Sequence, residues 1–248
     1  MPLDYARGLT ATVRTLRQNT HLGVGLAFVA GATNAGAFLA VGQYTSHMTG
    51  IVSSMADAVI LGDRAVIATG LGALAAFVAG AATTAVLVNA ARRRGLSSAY
   101  AIPLLLEALL LLVFGIVGAR LNQVHTLFVS ATVVLLCFIM GLQNAVITKI
   151  SHAVIRTTHM TGIVTDIGIE LGKLVYVNRR DDPTGGRVAA DQGHLRLLLL
   201  LLVAFFAGGV LGAAGFHTLG YVTTVPMALV LVGLAVVPVV DDIRRRAR

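Results

Sequence analysis

The feature that most constrains this chain is a phrase it carries twice. Thr45-Ser46-His47-Met48-Thr49-Gly50-Ile51-Val52 returns as Thr157-Thr158-His159-Met160-Thr161-Gly162-Ile163-Val164, identical except for Ser46 against Thr158. The copies lie 112 residues apart in a chain of 248, close to half its length. A repeat of this kind decides architecture before other signals do, and the flanks repeat as well. Gly31-Ala32-Thr33-Asn34-Ala35 precedes the first copy and Gly141-Leu142-Gln143-Asn144-Ala145 the second. Leu61-Gly62-Asp63 and Leu171-Gly172-Lys173 follow them. The chain reads as one module duplicated and fused.

The solvent of that module is lipid. Only 12% of residues are charged and the mean hydropathy is +0.85, whereas soluble chains carry about 25% charge. Apolar runs such as 102–119 and 195–214 approach the ~20 residues a helix needs to cross the hydrocarbon core. The alternation of a β-barrel is absent, so the fold class is an all-α integral membrane protein. A net charge of +8 does not signal nucleic acid here, because the arginines cluster beside apolar segments, as at Arg92-Arg93-Arg94 and Arg244-Arg245-Arg246. That placement orients spans. Cys137, alone in an apolar run, can form no internal disulfide and reads as packing. Residues 1–21 are too polar for a signal peptide, so the first span is expected to be retained.

Six stretches read as spans: 22–41, 65–90, 101–119, 126–147, 194–214 and 221–240. The motif stretches, 46–61 and 158–175, are shorter, more polar and start with good N-cap residues. If all eight crossed from a basic cytoplasmic N-terminus (Arg7, Arg14, Arg17), the arginine triplet would lie outside, against the positive-inside rule. If both motif stretches enter and return, the triplet falls inside. The connection with Lys149 and Arg156, the loop with Arg179, Arg180 and Arg187, and the basic tail do too, leaving the connection with Arg120 and His125 outside. Each repeat then crosses three times, so the repeats are inverted, as in many secondary transporters and some channels. The expected organisation is a cytoplasmic segment 1–21, a first repeat 22–119, a second repeat 126–240 and a basic cytoplasmic tail 241–248. The loop 178–193 is expected to be a cytoplasmic connection without assigned function. Gly208 and Gly212 form a small-xxx-small pair suited to close helix packing, and the glycine-rich faces also admit a homodimer.

Chemistry concentrates in the motifs. Gly42 and His152-Ala153-Val154-Ile155 suit extended backbone leading into a helix. Helices that start at depth would turn unpaired amides, carrying about half a positive charge, toward a shared pocket. Thr45, Thr49, Thr157, Thr158 and Thr161 either line that pocket or cap the helices, and both roles are compatible. His47 and His159 occupy equivalent positions, and histidine is the usual proton-handling side chain near neutral pH. Asn34 and Asn144 match across the repeats and are costly in hydrocarbon without partners; solute contact and helix–helix hydrogen bonding are the two readings. Glu107, deep among leucines, is an ion- or proton-coupling candidate by its placement. Asp57, Asp166 and Glu170 on the motif helices are further candidates. His159, Asp166, Glu170 and Lys173 fall on one helical stripe, with Lys173 read as a surface anchor. No compact metal-ligand cluster, nucleophile elbow, Walker loop or zinc-protease pattern occurs, so no enzyme and no cofactor are expected.

The stretches 31–34, His47-Met48-Thr49-Gly50, Gly141-Leu142-Gln143-Asn144-Ala145 and 158–162 resemble the YoaK-like family of bacterial inner-membrane proteins, a domain of unknown function, over about residues 22–240. The family pattern has Asp where this chain has Asn34 and Asn where it has Ile51. If the family Asp carries a proton or cation, the resemblance implies that this coupling is lost here or moved to Glu107. It also implies a bacterial inner membrane and a transport role, without naming a substrate. The expected function is a secondary transporter of a small polar or anionic solute, rocking one repeat against the other, with both termini cytoplasmic. A passive channel of the same architecture is the second reading, and a non-transporting protein binding a lipid or partner the third. The expected partners are the bilayer and the solute, not nucleic acid.

Overall fold

The computed structural model describes residues 15–121, 125–151, 155, 157–177 and 188–246, and every regular element among them is helical. In chain order these are α1 (Leu16–Val41), α2 (Met48–Leu61), α3 (Arg64–Arg93), α4 (Ala101–Leu121), α5 (His125–Ser151), α6 (Met160–Val175), α7 (Gln192–Leu219), a 3₁₀ turn (Gly220–Thr223) and α8 (Thr224–Arg246). Among the described residues five helical stretches are long and apolar enough to cross a membrane, and the last of them, Gln192–Arg244, takes in α7 and nearly all of α8. The protein is a multi-pass helical membrane protein. The motif helices differ: at 14 and 16 residues they are about 21 and 24 Å long, short of a ~30 Å hydrocarbon core.

Local signals set the boundaries. Thr15 and Gln18 form a reciprocal capping box, so α1 starts well before the expected first span, inside the segment read as a polar tail. It ends at Gly42, whose φ of 71° only glycine adopts cheaply. Residues 43–46 then form bends and turns rather than the extended lead-in expected from the sequence, because the chain reverses at Gly42 instead of running on. The matching expectation at 152–154 lies outside the described residues. Between α2 and α3 only two residues intervene. Gly62 closes one helix at φ 73°, and the Asp63 carboxylate opens the next by accepting from the N–H groups of Ala65 and Val66 at 3.0 and 3.1 Å.

Packing rests on four of the places where a phenylalanine stands three residues before a glycine. Phe28 and Gly31 on α1 meet Phe205 and Gly208 on α7; Phe77 and Gly80 on α3 meet Phe138 and Gly141 on α5. At each crossing the two glycines lie against the partner helix's phenylalanine carbonyl, so close that a Cβ on any of the four would collide with backbone. Such contacts let helices approach in lipid, where there is little hydrophobic drive between them. Gly23 faces Leu201, Gly31 faces Phe205 and Gly36 faces Phe216, so α1 and α7 run parallel. Gly72 facing Val134 and Gly80 facing Phe138 give α3 and α5 the same relation.

α4 and α8 are antiparallel. Gly115 and Gly118 pack on Thr224 and Tyr221 at one end, and at the other Asp242 accepts from Ser97 Oγ at 2.5 Å and the Ser98 N–H at 2.8 Å. α2 doubles back along the first half of α3: Met55 and Ile51 sit over Gly70, and Ile51 clusters with Ala73, Ala76, Val133 and Cys137 while Met48 and Phe77 pack against that cluster. Cys137 is a buried free thiol. α6 packs on α7. The main core runs through α1, α4, α5, α7 and α8 around Leu26, Leu104, Leu136 and Leu231.

Candidate functional site

The two motif helices are held at their starts by asparagines from α1 and α5. Asn34 Oδ1 accepts from the Ser46 N–H at 3.2 Å and from Ser46 Oγ at 2.9 Å. Asn144 Oδ1 accepts from Thr158 Oγ1 at 2.6 Å, and its Nδ2 donates to the Met140 carbonyl at 2.8 Å. Equivalent residues thus make equivalent tethers. Each pins the connecting segment about two turns short of its own helix's C-terminus, so α2 and α6 begin alongside helix interiors rather than beyond helix ends.

The N-cap of each motif helix is its histidine, His47 for α2 and His159 for α6, and neither makes a side-chain capping bond. This corrects the expectation that the threonines cap. Thr45 and Thr157 lie two residues earlier, fully buried, with hydroxyls that have no hydrogen-bond partner. Thr49 and Thr161 sit in the first turns, exposed. The spacing of the motif has a steric reason. A Cβ at Gly50 would lie 2.7 Å from His47 Nδ1, and one at Gly162 would strike His159 Nδ1. The imidazole is folded back over the first turn of its own helix, and glycine three residues on leaves it room.

Both motifs open on one cavity of about 790 Å³. Six matched pairs line it: Asn34 and Asn144, Ser46 and Thr158, His47 and His159, Met48 and Met160, Thr49 and Thr161, Phe77 and Phe205. Tyr44 and Thr148 are the other described residues that line it. Phe77 and Phe205 come from near the middle of α3 and α7. Among the described lining residues there is no carboxylate, lysine or arginine. The first-turn N–H groups of α2 and α6 have no partner within their own helices and receive none from the N-cap side chains; that of Met48 donates to the Ser46 carbonyl at 3.2 Å.

The sequence-predicted residues separate into two groups. Asn34, His47, Thr49, Asn144, Thr158, His159 and Thr161 are brought together at the cavity; Thr45 is buried behind it. None of the four coupling candidates lines it. Asp57 and Asp166 are exposed on the motif helices. Glu107 is buried in α4, with Oε2 lacking a partner. Glu170 closes the far end of α6, where Lys173 donates to it at 2.7 Å and the Asp191 N–H at 2.8 Å. Those two bonds hold its carboxyl below the usual range. The expected stripe from His159 to Lys173 therefore does not line one wet face: its first residue faces the cavity and its last two form an ion pair tied to the start of α7. Among the described residues no three of His, Cys, Asp and Glu gather where they could hold a metal.

Sequence reasoning missed the aromatic wall of Phe77 and Phe205. The signal was available, since each stands three residues before a glycine.

Comparison with characterised proteins and with solved structures returned no match. The match to a family model covers residues 22–237, from the interior of α1 to the last turns of α8, and includes every lining residue of the cavity. The chain belongs to the family described as Protein of unknown function (DUF1275).

Proposed function

We propose that this protein is a secondary transporter of a small polar or anionic solute, whose site is the cavity between the two motif helices. The observation that carries the reading is that both copies of the motif, 112 residues apart in sequence, line one cavity with matched side chains. The parallel pairing of α1 with α7 and of α3 with α5 supports two inverted repeats. In that arrangement α7 and α8 count as separate crossings, giving six spans, and α2 and α6 enter and return. A short helix beginning beside Phe77 and ending two residues before α3 supports the re-entrant assignment. Irregular backbone at depth is tolerated where it borders a polar cavity, and segments 43–47 and 157–159 do so.

The repeats meet at the two phenylalanine–glycine crossings, and rocking about them would expose the cavity to alternate sides. With a basic C-terminus inside, both termini are cytoplasmic in a bacterial inner membrane, as the YoaK-like resemblance implies. The reading is transport, not catalysis, and it requires only the bilayer and the solute, with a homodimer admitted by the glycine-rich faces. The test is flux into proteoliposomes across a panel of small carboxylates, inorganic anions, amines and neutral polar solutes. Saturating, counterflow-competent uptake supports a transporter. Fast flux linear in concentration would support a pore of the same architecture instead, and no flux of any solute would contradict both.

A further inference from the structure

We infer that the cavity takes a small oxyanion, either a carboxylate or an inorganic oxyanion, together with protons on His47 and His159. This deepens the transport reading and rests on it only for the claim that the bound anion moves. The argument is an inventory of hydrogen-bonding capacity. The acceptors of Asn34 and Asn144 are already occupied by Ser46 and Thr158, and the Asn144 amide donates to the Met140 carbonyl. What faces the cavity unspent is donor-rich: the Asn34 amide nitrogen and the hydroxyls and N–H groups of Thr49 and Thr161, which the N-cap histidines do not satisfy, the Met48 N–H being spent on the Ser46 carbonyl. A ligand that only accepts hydrogen bonds completes such a set, and an ammonium does not.

Charge gives the same answer independently. Among the described residues no carboxylate lines the cavity, so a cation would find no counter-charge there. Among the described residues, the titratable side chains facing it are His47 and His159, from the starts of α2 and α6, and Tyr44. The contributions of α1, α3, α5 and α7, among them Asn34, Phe77, Asn144 and Phe205, are not ionisable. His47 and His159 are thus the groups that would carry a proton taken up with the anion and balance its charge. The Phe77 and Phe205 walls leave apolar surface for the short carbon chain of a carboxylate.

The test is isothermal titration of the detergent-purified full chain with sodium acetate, nitrate and sulfate, beside tetramethylammonium chloride and urea, in one chloride buffer at about pH 5.5 and 7.5. The expected result is binding of at least one oxyanion, with affinity about tenfold or more higher at the lower pH. Acetate against the inorganic ions identifies the source. His47→Gln and His159→Gln each flatten the pH dependence. Asn34→Asp, which keeps the acceptor for Ser46 while adding negative charge, weakens the oxyanion by about tenfold or more and keeps the melting transition. Preference for tetramethylammonium or urea, oxyanion binding indifferent to pH and to the histidine variants, or no binding by any probe would overturn the inference. Oxyanion binding without flux in proteoliposomes would overturn transport and leave this inference standing; saturable flux of a neutral solute without oxyanion binding would do the reverse.

Discussion

Replacing Gly31 or Gly141 by alanine tests the packing that positions the site. A Cβ at Gly31 lands on the Phe205 carbonyl and one at Gly141 on the Phe77 carbonyl, both backbone atoms at the centre of a helix crossing. Neither can rotate away, so the helices must separate. Overpacking of this kind costs about 1–3 kcal/mol, and loss of weak Cα–H···O contacts at the crossing adds roughly 0.5–1 kcal/mol each. Alanine's helix preference over glycine returns about 1 kcal/mol. The net expectation is a loss of about 1–3 kcal/mol for each variant.

Gly233→Ala on α8 is the control, because nothing lies within 4 Å of its Cβ position, and it should be neutral or stabilising by up to about 1 kcal/mol. Thermal unfolding in detergent measures all three. Gly31 and Gly141 lie at separate crossings, so the double variant should be additive to within about 0.5 kcal/mol. Gly31 and Gly208 share a crossing, so that pair should lose less than the sum, since helices already pushed apart accommodate the second methyl. If Gly31→Ala and Gly233→Ala change stability alike, the close-approach argument is wrong.

Other expectations follow from the same contacts. Gly50→Ala and Gly162→Ala should leave stability within about 1 kcal/mol of wild type, because the obstructing atoms belong to a rotatable imidazole, yet should impair solute binding by displacing the histidines. Asn34→Leu and Asn144→Leu each release a motif start and should cost about 1–3 kcal/mol in unfolding experiments. Glu170 has a depressed folded pKa, so its unfolded form binds more protons between that value and about 4.3. Its contribution is present above the unfolded value and fades as pH falls through the folded one; Glu170→Gln should flatten melting temperature against pH in that acid window. Glu107→Leu should leave oxyanion binding unchanged, because Glu107 does not line the cavity, and a loss of binding would show that α4 communicates with the site.

Much of this was legible in the sequence. Hydropathy located the long helices because lipid imposes a length and composition that few other environments impose, and duplication located the cavity because both copies had to converge on it. The roles of single residues were less legible. Threonines were expected to cap the motif helices since hydroxyls are good caps, but the chain reverses at Gly42 and the tethers fall on Ser46 and Thr158, which leaves the histidines at the N-cap positions. Asn34 and Asn144 were read as lining or bridging residues; they line the cavity and also tether the motifs, a connection that depends on the fold-back of the loop. The acidic residues misled because helical periodicity places Asp166 and Glu170 on one stripe with His159 without saying that α6 leaves the cavity after its first turn. Phe77 and Phe205 were hidden for a different reason: a glycine pattern reports close packing, and only the crossing geometry turns the neighbouring ring toward the motif.

The measurement that tests the central claim most directly is cysteine accessibility at the two matched positions Thr49 and Thr161. The chain's one cysteine, Cys137, is fully buried, and replacing it with alanine gives a clean background. Thr49→Cys and Thr161→Cys would then be labelled with a small polar thiol reagent, with and without the solute found to bind. One shared site requires that both positions react and that the same solute slows both in parallel. Protection of one position but not the other, or of neither at saturating solute, would contradict a single site built from the two motifs.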